Sequence, residues 1–240
     1  MTPTTPTPTS APAPSGSAAP RRRKPGRRVV IHNVDWEVYE KLLDAFGDRR
    51  SPRLTYDRGD LEIMSPSNAH EEDAYHLGYF IDILAEELGL PLRRGGGFTM
   101  KRKDLKRGIE SDRCYWVTNA VRLAGVRKID LAVHAPPDLV IEVDVTRSSL
   151  DKLGIYAKLG VTEAWRLDGD ELHFYQLGPK RKYAEVPTSP AFAGITPADL
   201  MSFLKQTRGV ADQTIASKAF RAWVRQRAAA PPAPPSPPTP

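Results

Sequence analysis

Apolar residues recur at two different spacings along this chain, and the alternation between them predicts a mixed fold. From Asp35 to Phe46, Trp36, Tyr39, Leu42, Leu43 and Phe46 fall on one face of a helix. Leu54 to Met64 reads as a hairpin that turns at Arg58-Gly59-Asp60, and Ser65-Pro66-Ser67-Asn68 then offers a turn and an N-cap. The next helix, Ala69 to Leu88, carries the stripe Leu77, Ile81, Leu84 and Leu88. Gly95-Gly96-Gly97 breaks the chain before a strand near Phe98 to Arg102, and Cys114 to Val117 is a further short β-like run.

The strongest strand signal lies between Asp138 and Val145. Its apolar residues, Leu139, Val140, Ile141, Val143 and Val145, suit a strand covered on both faces. A helix over Leu150 to Leu159 follows, and Gly160 ends it. Glu163 to Leu167 and Glu171 to Leu177 form a hairpin across Asp168-Gly169-Asp170. Thr214 to Arg227 reads as a basic helix with Ile215, Phe220 and Trp223, either packed on the core or appended to it. Mixed in this order, the elements predict an α/β (α+β) fold, a sheet flanked by helices.

Composition adjusts the picture at the two ends. The 23 prolines crowd there. Residues 1–28 read as a disordered Pro/Thr/Ala-rich tail ending in the basic cluster Arg21 to Arg28, and residues 29–206 read as the folded domain. Residues 207–240 read as the basic helix with a Pro-rich tail. The basic cluster is either a solvated charge run or a phosphate-binding arm.

The net charge of +6 suits a polyanion partner without requiring one. A single cysteine, Cys114, excludes an internal disulfide framework and a cysteine-based zinc site, and a reducing, cytoplasmic setting is expected. No apolar run approaches the roughly 18 residues of a membrane span. No apolar leader segment is visible either, so neither a membrane partner nor a secretory signal is expected.

The candidate chemistry is acidic. Asp112 stands just before the Cys114 strand, and Glu142 sits inside the most apolar strand of the chain. A carboxylate there is costly unless it is paired or bound to a cation. Alternation puts Glu142 and Asp144 on the same face, and such oxygen donors suit Mg2+ or Mn2+. Lys152 on the following helix is placed to stabilise phosphorane charge or to help deprotonate water. Spacing alone leaves a second reading open, in which Arg147 or Lys152 neutralises Glu142 in a plain ion pair. Arg93-Arg94, Lys101-Arg102-Lys103 and Lys106-Arg107 form either a phosphate-binding rim or a solvated hairpin edge.

Several segments carry a resemblance. The run Pro137 to Thr146, followed by Ser148 to Ala157 and Gly160 to Trp165, resembles the Uma-type family, restriction-endonuclease-like proteins of the PD-(D/E)XK nuclease superfamily. Asp60 to Ser67 with His70, Gly108 to Trp116, and Lys128 to Leu131 agree with it in consistent order. The likeness implies a restriction-endonuclease-like core with a mixed central sheet. It also implies metal-dependent cleavage of phosphodiester bonds in DNA, with Asp112 and Glu142 as the metal-holding acids. Duplex cutting needs two sites, which makes a homodimer plausible.

Three departures accompany the resemblance. Ser111 replaces the usual proline, and Asp144 stands where the superfamily pattern has lysine, so Lys152 must reach back into the site. Asp144 is then a third metal carboxylate or a partner for Lys152. His70 matches the family position on the first core helix, as a substrate or supporting contact or as a core histidine at the helix start. Arg147 is a further supporting candidate. The rival reading is an inactive DNA-binding or regulatory domain that keeps the fold, and it draws on the lysine missing at position 144.

Overall fold

The computed structural model of the chain describes residues 27–47, 51–144, 148 and 150–229. Both Pro-rich tails and Arg147 lie outside the described residues. Among those described, strand β1 (Arg27–Ile31) leads into helix α1 (Trp36–Phe46), the hairpin β2 (Arg53–Asp57) and β3 (Asp60–Ser65), and the long helix α2 (Asn68–Glu87). Then come β4 (Arg93–Gly96), β5 (Thr99–Arg102), β6 (Arg107–Glu110), β7 (Arg113–Trp116) and β8 (Leu139–Asp144). Helix α3 (Lys152–Leu159), the strands β9 (Glu163–Asp168), β10 (Glu171–Leu177) and β11 (Tyr183–Val186), and helices α4 (Pro197–Thr207) and α5 (Thr214–Ala229) complete the order.

The strands form two sheets. One has the order β1-β3-β2-β6-β5, and the other β11-β10-β9-β8-β7-β4. Among the described residues, only β8 and β9 pair in parallel, and the other strand pairs are antiparallel. That parallel step exists because α3 carries the chain back across the sheet, as a parallel connection requires. The expected α+β class and mixed central sheet are thus present.

Strand β8 organises the larger sheet, and all six of its residues are buried. Leu139, Ile141 and Val143 pack with Leu77, Phe80, Ile81 and Leu84 of α2 in one core. Val140 faces the other way, into a second core with Cys114, Trp116, Ile155 and Tyr156. Each leucine or isoleucine so buried contributes roughly 1.5–3 kcal/mol. The helix over Thr214 to Arg227, left open between core and appendage, belongs to the core. The Phe220 ring packs against Phe80 at 4.5 Å and a tilt of 43°, and Arg221 Nη2 pairs with Glu86 at 2.9 Å.

Four elements are absent from the sequence reading. β1 lies in a segment read as part of the tail and the domain edge. β4 (Arg-Arg-Gly-Gly) has no apolar residue to signal a strand. It is held in place because a Cβ at Gly95 would collide with Cys114 and Trp116 of β7, so only glycine lets the two strands close up. β11 is a four-residue edge strand, equally quiet. Helix α4, by contrast, carries a readable start: Thr196 caps it, Pro197 follows, and Asp199 closes a capping box at 2.9 Å.

Candidate active site

Asp112 is placed by the chain reversal that starts β7. The ladder pairs Arg113 with Ile141, so Asp112 stands one step further, alongside Glu142. The carboxylate is 1% exposed and fully engaged. Val143 N–H donates to Oδ2 at 2.7 Å, His70 Nε2 lies 2.8 Å from Oδ1, and Arg53 pairs with Oδ1. His70 is set in the first turn of α2, where Ser67 Oγ caps the helix by accepting from the His70 N–H at 3.4 Å. Arg53 opens β2 and also holds Glu71 at 2.5 Å.

The His70 ring is neutral. Burial pushes its pKa down to about 3, with the charges of Arg53, Lys152, Arg113 and Arg28 adding to the effect.

Glu142 projects toward α3. Lys152 Nζ donates to Oε2 at 2.5 Å, and the Tyr156 hydroxyl donates to Oε1. Residues 152 and 156 are four apart and so share a helix face. Asp151 caps the start of α3 through Gly154 N–H at 2.9 Å, and Gly160 ends it in the left-handed conformation with φ 89°. Tyr156 stays protonated, because burial and then the Glu142 charge raise its pKa well above the ordinary tyrosine range. Asp144, two residues on, accepts from Arg166 Nε at 2.6 Å, while its buried Oδ1 has no hydrogen-bond partner among the described residues. Glu142, Asp144, Ser148, Lys152 and Arg166 line a cavity of about 160 Å³.

The expected residues therefore fall into two neighbouring groups. Glu142, Asp144 and Lys152 share the cavity, and Asp112 with His70 forms the second group. The link between them is the Val143 N–H, which follows Glu142 and binds Asp112. The ion pair weighed for Glu142 is made with Lys152. Arg147 lies outside the described residues.

Glu62 went unassigned in the sequence reading. It is 1% exposed on β3, accepts from Ser148 Oγ at 2.8 Å, lies 3.4 Å from Arg28 Nε, and leaves Oε1 without a partner among the described residues. Its signal was the one that marked Glu142, an acid between apolar strand residues (Leu61 and Ile63).

A resident divalent ion can be tested against these donors. Among the described residues, no three His, Cys, Asp or Glu side chains cluster as a ready metal site. Magnesium, however, commonly takes one or two carboxylates, with water and phosphate filling the remaining positions. Two buried acids at adjoining strand positions and the partnerless Asp144 Oδ1 suit that chemistry.

A fold with acids gathered on adjoining strands of a mixed sheet fits a nuclease class, and comparison with known proteins supplies the family. The Uma2 family model, described as "Putative restriction endonuclease", matches residues 36–205, and the chain belongs to this family. A crystal structure described as a "putative nuclease" from Anabaena variabilis is similar at 17% identity. It covers 71% of this chain and 99% of that one, with a TM-score of 0.48. None of the curated proteins matches.

Proposed function

We propose that this protein is a divalent-metal-dependent endonuclease that hydrolyses phosphodiester bonds in DNA. The observation that carries the reading is the pair of buried acids, Asp112 just before β7 and Glu142 within the neighbouring β8, in a chain of the Uma2 family. Asp112 and Glu142 are the residues to hold Mg2+ or Mn2+, with Asp144 Oδ1 as a further donor. Such an ion supplies an acidified water and polarises the scissile phosphate.

The chain's own groups do the rest. Lys152, 2.5 Å from Glu142, provides the cation that offsets charge building on the phosphate oxygens. Tyr156 orients the Glu142 carboxylate, and neutral His70 orients Asp112, each by one hydrogen bond. Arg53 and Lys152 balance the two acids, which keeps the buried charges tolerable before substrate arrives. If the substrate is a duplex, cutting both of its strands calls for two such sites, which a homodimer would supply.

The test is cleavage of plasmid and oligonucleotide DNA with Mg2+, with Mn2+ and after chelation. Asp112→Asn and Glu142→Gln are expected to cut at least roughly a hundredfold more slowly, since even supporting residues of metal sites cost about 10- to 100-fold. Cleavage at the parent rate by both variants would end the proposal. The second reading, a domain that keeps the fold without cutting, draws on Asp144 in place of lysine and on the missing three-residue metal cluster among the described residues. It predicts no cleavage by the parent under any of these conditions.

A further inference from the structure

Strands β4 and β5 are consecutive, yet each lies at an edge of a different sheet. The chain crosses between the sheets through Gly97 and Phe98, and a cleft of about 920 Å³ opens along the crossing. Arg53 and Arg113 are among its lining residues, and both neighbour Asp112: Arg53 pairs with the carboxylate, and Arg113 donates to the Asp112 carbonyl at 2.7 Å. A second cavity, of about 820 Å³, shares Phe98, Lys101 and Lys128 with the first and carries the cleft onward past Arg102 and Lys103.

The charge of this cleft is largely uncompensated. Arg93 donates to the carbonyls of Leu123 and Val126, at 2.5 and 2.6 Å, which fixes the guanidinium without cancelling its charge. Arg113 likewise meets a carbonyl. Arg127 and Lys128 are exposed and have no hydrogen bond or ion pair among the described residues. Arg94 and Lys101 are balanced by Asp82 and Glu40. Against these four cations, none with an ion-pair partner among the described residues, stands Glu110, whose pKa burial raises and whose oxygens already accept from Leu54 N–H and Thr99. Between the cations lie aromatic rings, with Tyr75 59% exposed and Phe98 half-buried. The glycine run offers little side-chain bulk to block a backbone's approach.

We propose that this cleft binds a single strand of DNA, with phosphates on Arg93, Arg113, Arg127 and Lys128 and bases against Tyr75 and Phe98. A basic groove interleaved with aromatic rings is the arrangement that suits single strands, because every base has a face to stack. The proposal rests on the nuclease reading for its direction, since Arg53 and Arg113, which line the cleft, both contact Asp112, but its test reads binding alone.

The experiment measures fluorescence anisotropy of labelled single-stranded and blunt duplex oligonucleotides over a salt series, with the full-length Glu142→Gln variant. About four phosphate contacts predict a log-log salt slope near −3 for the single strand. Adding Arg127→Ala and Lys128→Ala is expected to weaken binding roughly tenfold and flatten the slope by about 1.4. Both side chains are exposed and unpartnered, so folding is not at risk, and circular dichroism confirms it. Lys218→Ala, at an exposed position of α5, is the control expected to leave binding unchanged. Equal affinity for duplex and single strand, no change in the double variant, or an equal loss from the control would each overturn the proposal. Single-strand binding by a parent that never cuts would support the cleft and sink the nuclease reading, so the two failures are distinguishable.

Discussion

The two faces of strand β8 differ sharply in chemistry. Toward α2, Leu139, Ile141 and Val143 join one apolar core. Toward α3, Val140 is apolar, but Glu142 and Asp144 are carboxylates beside Lys152, Arg166 and Tyr156. Neighbouring residues of one strand thus serve opposite ends, because successive side chains point to opposite faces. The odd positions hold the sheet to its helix. The even positions accept the cost of buried charge, and that cost is reduced only by cations and hydrogen bonds placed from other elements.

The comparison breaks first at the acids. Glu142→Gln and Asp112→Asn are expected to remove at least roughly two orders of magnitude of cleavage. On the odd face the loss has a different character. Ile141→Ala should cost about 2–5 kcal/mol of folding stability through its cavity, read by urea denaturation, while the folded fraction cuts at the parent rate. Lower cleavage per folded molecule in that variant would mean that the two faces are not separate in role.

Smaller effects sharpen the picture. His70→Gln should slow cleavage by roughly 10- to 100-fold, as for a group that orients a metal-holding acid, and metal titrations should show weaker Mn2+ dependence of the rate. Asp144→Asn should have the least effect on cleavage, roughly tenfold or less, because Arg166 already occupies one oxygen. Cys114 closes the series. Fully buried, with its pKa pushed up by burial to about 12, the thiol should resist alkylation at pH 8 in the folded protein and react after unfolding. Rapid labelling of the native chain would show that the core behind β8 opens.

Much of this was readable from residue order. The α2 stripe, the buried run of β8, the glycine that stops α3 and the Asp168-Gly169-Asp170 turn are local patterns, and each became the element expected. β4 was invisible because its Arg-Arg-Gly-Gly sequence owes its place to Gly95 packing against β7, a contact nineteen residues away in chain order. Glu62 escaped for a similar reason, since its partners Arg28 and Ser148 come from distant segments. Helix α4 is a different case, a capping box present in the chain and passed over.

By itself the chain order determined which residues are apolar at strand or helix spacing, that Glu142 must need a counter-charge, and which family the motifs belong to. Only the tertiary structure decided how the acids are met: Lys152 pairs with Glu142 and Arg53 with Asp112, while uncharged Tyr156 and His70 each add a hydrogen bond. It also decided that the glycine run lies in a cleft lined by arginines and lysines. The reason is one of range. Periodicity is set by neighbours a few residues apart, whereas a buried charge is balanced by whatever side chain the folded sheets bring within hydrogen-bonding distance.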